Sequence, residues 1–383
     1  MTEEVAIIGV GYTAASPVTP EVSYREMIYE AAVKAYQDAH VKPKDIKSFV
    51  CLSEDFHEGT SIFDEYVPDQ LGAVLKPVHT VTGDGIHGLI EATMHIQTGL
   101  MDVVAVEAHS KASNILTPFH IMAFATDPVY NQPLKMHPYY IAGLEMNRFL
   151  LETGNTREHC AMVVQKNRQN ALDNPVAAYG AQVAPDDVLQ SRPLFAPLSK
   201  LDTSLHADGA VVMVLASAKR ARELSDHPIW VKGIGWCSDS PSLENRDWAQ
   251  AVYARLAGDA AYRMAGIRNP REEIDLAEID DTFSYKELQH MEALRLCREG
   301  EAGLLLEEGT ADLDGDLPIN PSGGTLGTGF LYEASGLYRV LELVLQLRGE
   351  AGKRQLAHVN TGLAFSWRGI PTTSGAAIVV SNN

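Results

Sequence analysis

Val5-Ala6-Ile7-Ile8-Gly9-Val10-Gly11-Tyr12 and Trp230-Val231-Lys232-Gly233-Ile234-Gly235-Trp236 are one pattern written twice: an apolar run that closes on Gly-x-Gly and an aromatic residue. Short apolar runs rich in β-branched residues and bounded by glycine read as buried strands. A glycine pair at a strand end also opens dinucleotide-binding folds, but no third glycine or strand-end acid follows here at the required spacing. The copies keep matching downstream. The first is followed by the helix-patterned Ala31-Ala32-Val33-Lys34-Ala35-Tyr36, running over 31–41, then a loop with Pro43 and an apolar strand over 46–50. The second is followed by Ala260-Ala261-Tyr262-Arg263-Met264-Ala265, a loop with Pro270 and a strand over 274–279.

Both copies also close alike, on Gly209-Ala210-Val211-Val212-Met213-Val214 and on Gly375-Ala376-Ala377-Ile378-Val379-Val380. Between opening and closing, the first copy carries Gly83-Asp84-Gly85, a helix over 86–99 and a strand over 103–106. The second carries Gly323-Gly324, a helix over 333–348 and a strand over 356–359. Strands alternating with helices of ten or more residues predict an α/β protein with parallel-type sheets covered on both faces. Two such halves in tandem predict two sheets sharing a central helical layer. The extra length, between Ser110 and Pro197, is rich in His, Met, Tyr and Asn and lacks the strand–helix rhythm. It reads as an inserted lid over the Gly-rich turns, where a substrate site forms. The division is 1–110 with 198–227 as an N-terminal half, 111–197 as the insert, and 228–383 as a C-terminal half.

Composition narrows the function. The 383 residues carry 31 Lys plus Arg against 50 Asp plus Glu, a net charge of −19. A nucleic-acid binder needs a basic footprint, and an anionic membrane surface does too, so neither is expected. No apolar run reaches the ~18 residues of a membrane-spanning helix. Cys51, Cys160, Cys237 and Cys297 form no Cys-x-x-Cys pair, and no His/Cys cluster has zinc spacing, so no metal is expected. The N-terminus runs straight into a strand without a secretory leader, and the thiols read as reduced, so a cytoplasmic location is expected.

The duplicated halves with Gly-rich helix starts resemble the thiolase superfamily, and the sterol-carrier-protein type of thiolase in particular. The stretches that carry the likeness are Glu278-Ile279-Asp280-Asp281-Thr282-Phe283, Asn320-Pro321-Ser322-Gly323-Gly324 and Gln346-Leu347-Arg348-Gly349-Glu350-Ala351-Gly352. In the first half, Gln165-Lys166-Asn167-Arg168 and Asp208-Gly209-Ala210 also match. The resemblance implies a thiolase fold: two βαβαβαββ-type halves in a five-layered αβαβα arrangement with an inserted loop domain. It also implies a nucleophilic cysteine at a helix N-terminus, in Cys-x-x-Gly-Leu, where the dipole lowers its pKa. Here that pattern reads Gly85-Ile86-His87-Gly88-Leu89. The family's His-Asp-x-Phe histidine is Asp280, and its Gly-His-Pro stretch is Gly329-Phe330-Leu331. An acyl-cysteine mechanism is therefore not expected.

A related branch, the thiolase-like aldolases of steroid side-chain breakdown, is similar to this chain in lacking those histidines. Retro-aldol cleavage of a β-hydroxyacyl-CoA needs a base for the hydroxyl and an electrophilic cradle for the enolate, but no nucleophile. Tyr332 is the first candidate for proton transfer, although the aldolase tyrosine falls at Phe330 here. The next is Asp280, at the family's histidine position, whose burial raises its pKa toward acid–base use. Adjacent carboxylates on a strand point to opposite faces, so Asp281 is assigned to capping the helix that follows. His87, neutral at a helix N-terminus, is placed to donate to an oxyanion. Asp84 is read as a helix cap. Gly85, Asn320, Gly323 and Gly324 make up the thioester cradle. His57, His120, His137 and Tyr139 receive no role.

The leading expectation is a carbon–carbon lyase that releases a short acyl-CoA, with the CoA thioester as substrate and no cofactor. Two alternatives stand beside it: a catalytically silent subunit supporting an active partner, and an acyltransferase using another subunit's cysteine. The resemblance further implies a homodimer, and a small zinc-ribbon/OB-fold partner protein.

Overall fold

The computed structural model describes residues 3–54, 66–240, 242–370 and 373–383. Among the described residues nine strands form one mixed sheet: β1 (Val5–Tyr12), β2 (Ser48–Leu52), β3 (Val78–Val81), β4 (Val103–Lys111), β7 (Asp208–Ser217), β8 (Ile229–Ser238), β9 (Leu276–Glu278), β10 (Thr361–Arg368) and β11 (Ser374–Ser381). A separate hairpin pairs β5 (Pro193–Phe195) with β6 (Leu198–Ser199). The sheet order is β3-β2-β4-β7-β1-β8-β11-β10-β9. Its two halves are joined where Val5–Ile7 pairs antiparallel with Ile229–Val231, so the two expected sheets are connected through three residue pairs and share the central helices. Ile319 bridges Ala277 in parallel and takes the place in the second half that β3 holds in the first. The sheet is not all parallel. β11 follows β10 after a loop too short for a crossover, and such a connection permits only antiparallel pairing.

The helices used below are α1 (Tyr24–Asp38), α2 (Gly85–Gln97), α3 (Pro118–Phe124), α4 (Pro138–Thr153), α5 (Arg157–Asn170), α6 (Val252–Ala265), α7 (Ser284–Ala293), α8 (Gly324–Thr328) and α9 (Ser335–Arg348). Three apolar cores separate the layers. Met27, Ile28 and Ala35 of α1 cover the outer face of the first half against Ile8, Phe49 and Val212. Ile86, Leu89 and Ile90 of α2 lie with Leu337, Val340 and Val344 of α9 between strands of both halves. Phe149, Val163, Ala257 and Tyr285, from α4 to α7, cover the outer face of the second half. The result is the five-layered αβαβα arrangement that the resemblance implies.

The duplicated Gly-x-Gly has a packing cause. A Cβ on Gly9 would lie 2.5 Å from the Ala39 Cβ, and one on Gly11 2.1 Å from the Ala31 carbonyl oxygen. Gly233 and Gly235 stand in the same relation to the Ala261 and Ala257 carbonyl oxygens, at 2.0 and 2.1 Å. In both halves the opening strand touches the backbone of the helix that follows it.

Three local expectations shift. α1 begins at Tyr24 because Ser23 and Glu26 form a capping box, one helical turn and more before the alanine-rich stretch. The second-half helix begins at Ser335 after a 3₁₀ turn over Tyr332–Ala334. The stretch over 356–359 is not a strand: the Gln346 side chain holds the Leu356 amide, and the strand starts at Thr361. The 111–197 segment is largely helical, in α3 to α5, and α4 and α5 pack onto the second half. No helix among the described residues is long and apolar enough to cross a membrane.

Candidate active site

A cleft of about 110 Å³ opens where the β3–α2 turn, the 329–335 segment, the end of β10 and helix α3 converge. Asp84, Ile121, Met122, Phe330, Tyr332 and Trp367 line it. It continues past Phe330 and Trp367 into a second space bounded by Phe119, Tyr139, His206 and Phe283. The Glu54–Arg368 ion pair sits in its wall. α3 comes from the insert, so the insert supplies one apolar wall.

Asp84 is the N-cap of α2 and is buried. Its Oδ1 accepts the Ile86 N–H at 3.2 Å, and its Oδ2 accepts the Gly336 N–H at 2.9 Å, at the start of α9. One carboxylate thus joins the starts of both central helices. Gly336 permits this because a Cβ there would lie 1.7 Å from the Asp84 Oδ1. Burial pushes the Asp84 carboxyl up, while Arg339, the Ser366 hydroxyl and the Ile86 amide hold it down; the outcome is about 6. A carboxylate at that value titrates within the working range of a general base.

Gly85 follows it at the helix N-terminus. A Cβ there would meet the Leu337 Cγ at 2.5 Å and the Leu337 backbone nitrogen at 2.6 Å, so the position has no room for a thiol-bearing side chain. Among the described residues no cysteine lines the cleft. Gly85→Cys is expected to cost about 1–3 kcal/mol, the range for forced overpacking, because a backbone nitrogen cannot turn aside. Urea denaturation of the variant and its parent checks this; equal midpoints overturn it.

Asp280 is not in the cleft. It is buried behind it, where its Oδ2 accepts from the Arg339 Nη2 at 2.6 Å and its Oδ1 from the Thr282 amide at 3.0 Å. Arg339 also donates to the Ser366 hydroxyl at 2.9 Å and to Thr325 at 2.6 Å. Burial works against the guanidinium charge, but Asp280 and Asp84 beside it raise its pKa overall. The expected base is therefore an ion-pair partner. Asp281 caps a helix, though not the one that follows it: its oxygens accept the Thr325 and Leu326 amides at 2.5 and 3.0 Å, at the start of α8.

The expected cradle is already filled by the protein. Asn320 donates to the Glu287 Oε2 at 2.6 Å and accepts the Ile279 amide at 2.8 Å. The Ser322 amide donates to Glu278, the Gly323 amide to the Asn320 carbonyl and the Gly324 amide to the Ser322 hydroxyl. Gly323 and Gly324 have positive φ and back onto Ala171 and the Asp281 carboxylate. The Ser322, Gly323 and Gly324 amides are thus all committed to bonds within the protein. His87 likewise turns back on its own helix, its Nδ1 accepting the Asp84 amide at 3.3 Å. Burial lowers its pKa to about 4, so it is neutral, but it does not line the cleft.

Tyr332 does line it. Its φ is +48°, a left-handed conformation that costs a bulky residue on the order of 1–3 kcal/mol and is tolerated where surroundings enforce it. The rings of Phe330 and His206 enforce it here, with centroids 4.9 and 5.1 Å away. Of the sequence candidates, then, the structure brings Tyr332 to the cleft and Gly85 beside it, and leaves Asp280, His87 and Asn320 behind. Tyr139 bounds the far end, and His137 caps α4 through the Tyr139 amide. His57 lies outside the described residues. Asp84 is the helix cap that the sequence indicates, but its place in the cleft, like that of His206, comes only from the structure. The signal for Asp84 was its place beside the glycine at the nucleophile position.

A family model for a "Thiolase C-terminal domain-like" unit matches residues 235–381. The acetyl-CoA acetyltransferase of Methanothermobacter thermautotrophicus is 32% identical over 382 residues, covering 98% of each chain. Sterol carrier protein 2 of Bos taurus is 30% identical over 407 residues, covering 100% of this chain and 72% of that protein. Among solved structures, the Ltp2-ChsH2(DUF35) aldolase superposes with a TM-score of 0.85 at 24% identity, covering 99% of this chain and 97% of the other. That likeness establishes the fold.

Proposed function

Since this chain belongs to the thiolase superfamily, we propose that it is a carbon–carbon lyase that cleaves a β-hydroxyacyl-CoA by a retro-aldol reaction. The observation that carries the reading is the start of α2. A carboxylate with a pKa of about 6 stands there beside a glycine that has no room for a thiol, inside an apolar cleft. Asp84 takes the proton of the β-hydroxyl. The oxygen's electron pair forms the new carbonyl as the Cα–Cβ bond breaks, and that bond's pair passes to the thioester as an enolate. The positive end of the α2 dipole favours the developing oxyanion. Tyr332 hydrogen-bonds the oxygen of the departing carbonyl. The proton held on Asp84 returns to Cα, leaving a shorter acyl-CoA and an aldehyde or ketone. The structural likeness to an aldolase supports this direction.

The test offers the protein a β-hydroxyacyl-CoA, and separately a β-ketoacyl-CoA with free CoA. It is run alone and with any co-expressed small zinc-ribbon/OB-fold partner, because the aldolase neighbour is a complex with a DUF35 protein. Release of acyl-CoA plus a carbonyl product from the first substrate, insensitive to iodoacetamide, supports the proposal. Thiolysis of the second favours acyl transfer, the activity named for the archaeal relative, and sinks the lyase reading. Tyr332→Phe is expected to lower kcat about 10-fold to 100-fold, the worth of one hydrogen bond to a developing charge. An unchanged kcat removes Tyr332 from the mechanism.

A further inference from the structure

We propose that His79, Glu91 and His95 form a binding site for a divalent transition-metal ion, Zn²⁺ foremost, that ties β3 to α2. The donor atoms of the three side chains all lie within 4.8 Å of one another. The His95 Nε2 is already 3.0 Å from the Glu91 Oε1, and the His79 and His95 rings meet at 4.5 Å between centroids, tilted by 62°. A shared ion at about 2.0–2.2 Å from each donor needs them slightly closer. The exposed His79 ring can supply that by rotation.

The backbone brings these residues together without strain. β3 leads into the Gly83-Asp84 turn and α2 leads out of it, so the two run side by side in opposite directions. From Asp84, five residues back along a strand to His79 and eleven forward along a helix to His95 are each about 16 Å. His79 therefore lies level with His95, in the last turns of α2, one turn beyond Glu91. Glu91 and His95 share a face as an i,i+4 pair on the flank that the buried Ile90 and Ile96 leave partly open. The Nδ1 of His95 is buried without a hydrogen-bond partner, which leaves Nε2, beside Glu91, as its ligating atom.

Two imidazoles and one carboxylate suit Zn²⁺, Ni²⁺ or Cu²⁺ and discriminate against Mg²⁺ and Ca²⁺, which take oxygen donors. A water completes the tetrahedron on the solvent side, where His79 is exposed. The cluster's first ligand is on a strand and the other two on a helix, so the spacing is not that of a zinc finger. The ion would close the strand–turn–helix unit that carries Asp84 at its apex, without touching the cleft.

The experiment titrates tag-free, metal-stripped full-length protein with Zn²⁺, then with Mg²⁺, by calorimetry, and with Co²⁺ by absorption. One equivalent of Zn²⁺ with micromolar or tighter affinity and a raised thermal midpoint is expected, with no response to Mg²⁺. His95→Gln and His79→Gln should each weaken Zn²⁺ binding at least tenfold, while the metal-free variants keep the parent's thermal midpoint. Zn²⁺ binding unaffected by both substitutions overturns the site, as does no Zn²⁺ binding at all. A cobalt–thiolate charge-transfer band also overturns it, by placing the ion on a cysteine.

Discussion

Asp84→Asn is expected to lower kcat for β-hydroxyacyl-CoA cleavage by about 10²–10⁴, the contribution of a positioned general base. The pH profile carries the sharper test. Asp84 acts only when ionised, and burial, partly offset by Arg339, sets its pKa at about 6. The parent's kcat/KM should therefore be full above that value and fall as pH drops through 6. The variant's residual rate should lose this limb. Stability should move the other way. A carboxyl raised in the folded state contributes most to stability below its unfolded pKa, near 3.8, and loses that contribution as pH rises through 6. Asparagine is spared this, and its side-chain oxygen can still accept one of the two amides that Asp84 holds. The variant's thermal midpoint at pH 8 should equal or exceed the parent's. Activity within threefold of the parent across the pH range would falsify the assignment.

Arg339→Met should produce the largest loss of stability, about 3–5 kcal/mol, because it leaves buried carboxylates without their counter-charge. Arg339 is buried and pairs with Asp280 at 2.6 Å. Its charge also helps to hold down the Asp84 and Asp281 carboxyls. Without it these carboxyls titrate higher, so the variant should be weakest at pH 8 and recover part of its deficit near pH 5.5, where they take up protons. Urea unfolding at the two pH values measures this. The Arg339→Met/Asp280→Asn double variant should be less destabilised than the sum of its single changes, since the pair is removed together. Strict additivity would show that the ion pair is not the source of the loss.

The architecture could be read from the chain because its constraints are local. Gly9 and Gly11, like Gly233 and Gly235, face the backbone of the very next helix, and no side chain fits between. Apolar periodicity marks the same strands and helices in each half without reference to distant residues. Errors arose where a cap or a side chain moved an element's end, as Ser23 does for α1 and Gln346 does before β10.

The site was far less legible. Asn320, Gly323 and Gly324 have the composition of an anion cradle, but a turn amide donates once. The Gly323 and Gly324 amides are taken up within the turn, by the Asn320 carbonyl and the Ser322 hydroxyl, while Glu278 and Glu287, from other elements, take the Ser322 amide and the Asn320 side chain. Asp280 reads as a free carboxylate until Arg339 arrives from α9. Asp84 reads as a mere cap until Gly336, 252 residues away, joins it and the cleft opens beside it. Residue order alone shows that glycine, with no thiol, stands at the start of α2. Which carboxylate faces the cleft, and with what pKa, comes from burial and from partners across the central layer, because desolvation and ion pairing act through space and take no account of distance along the chain.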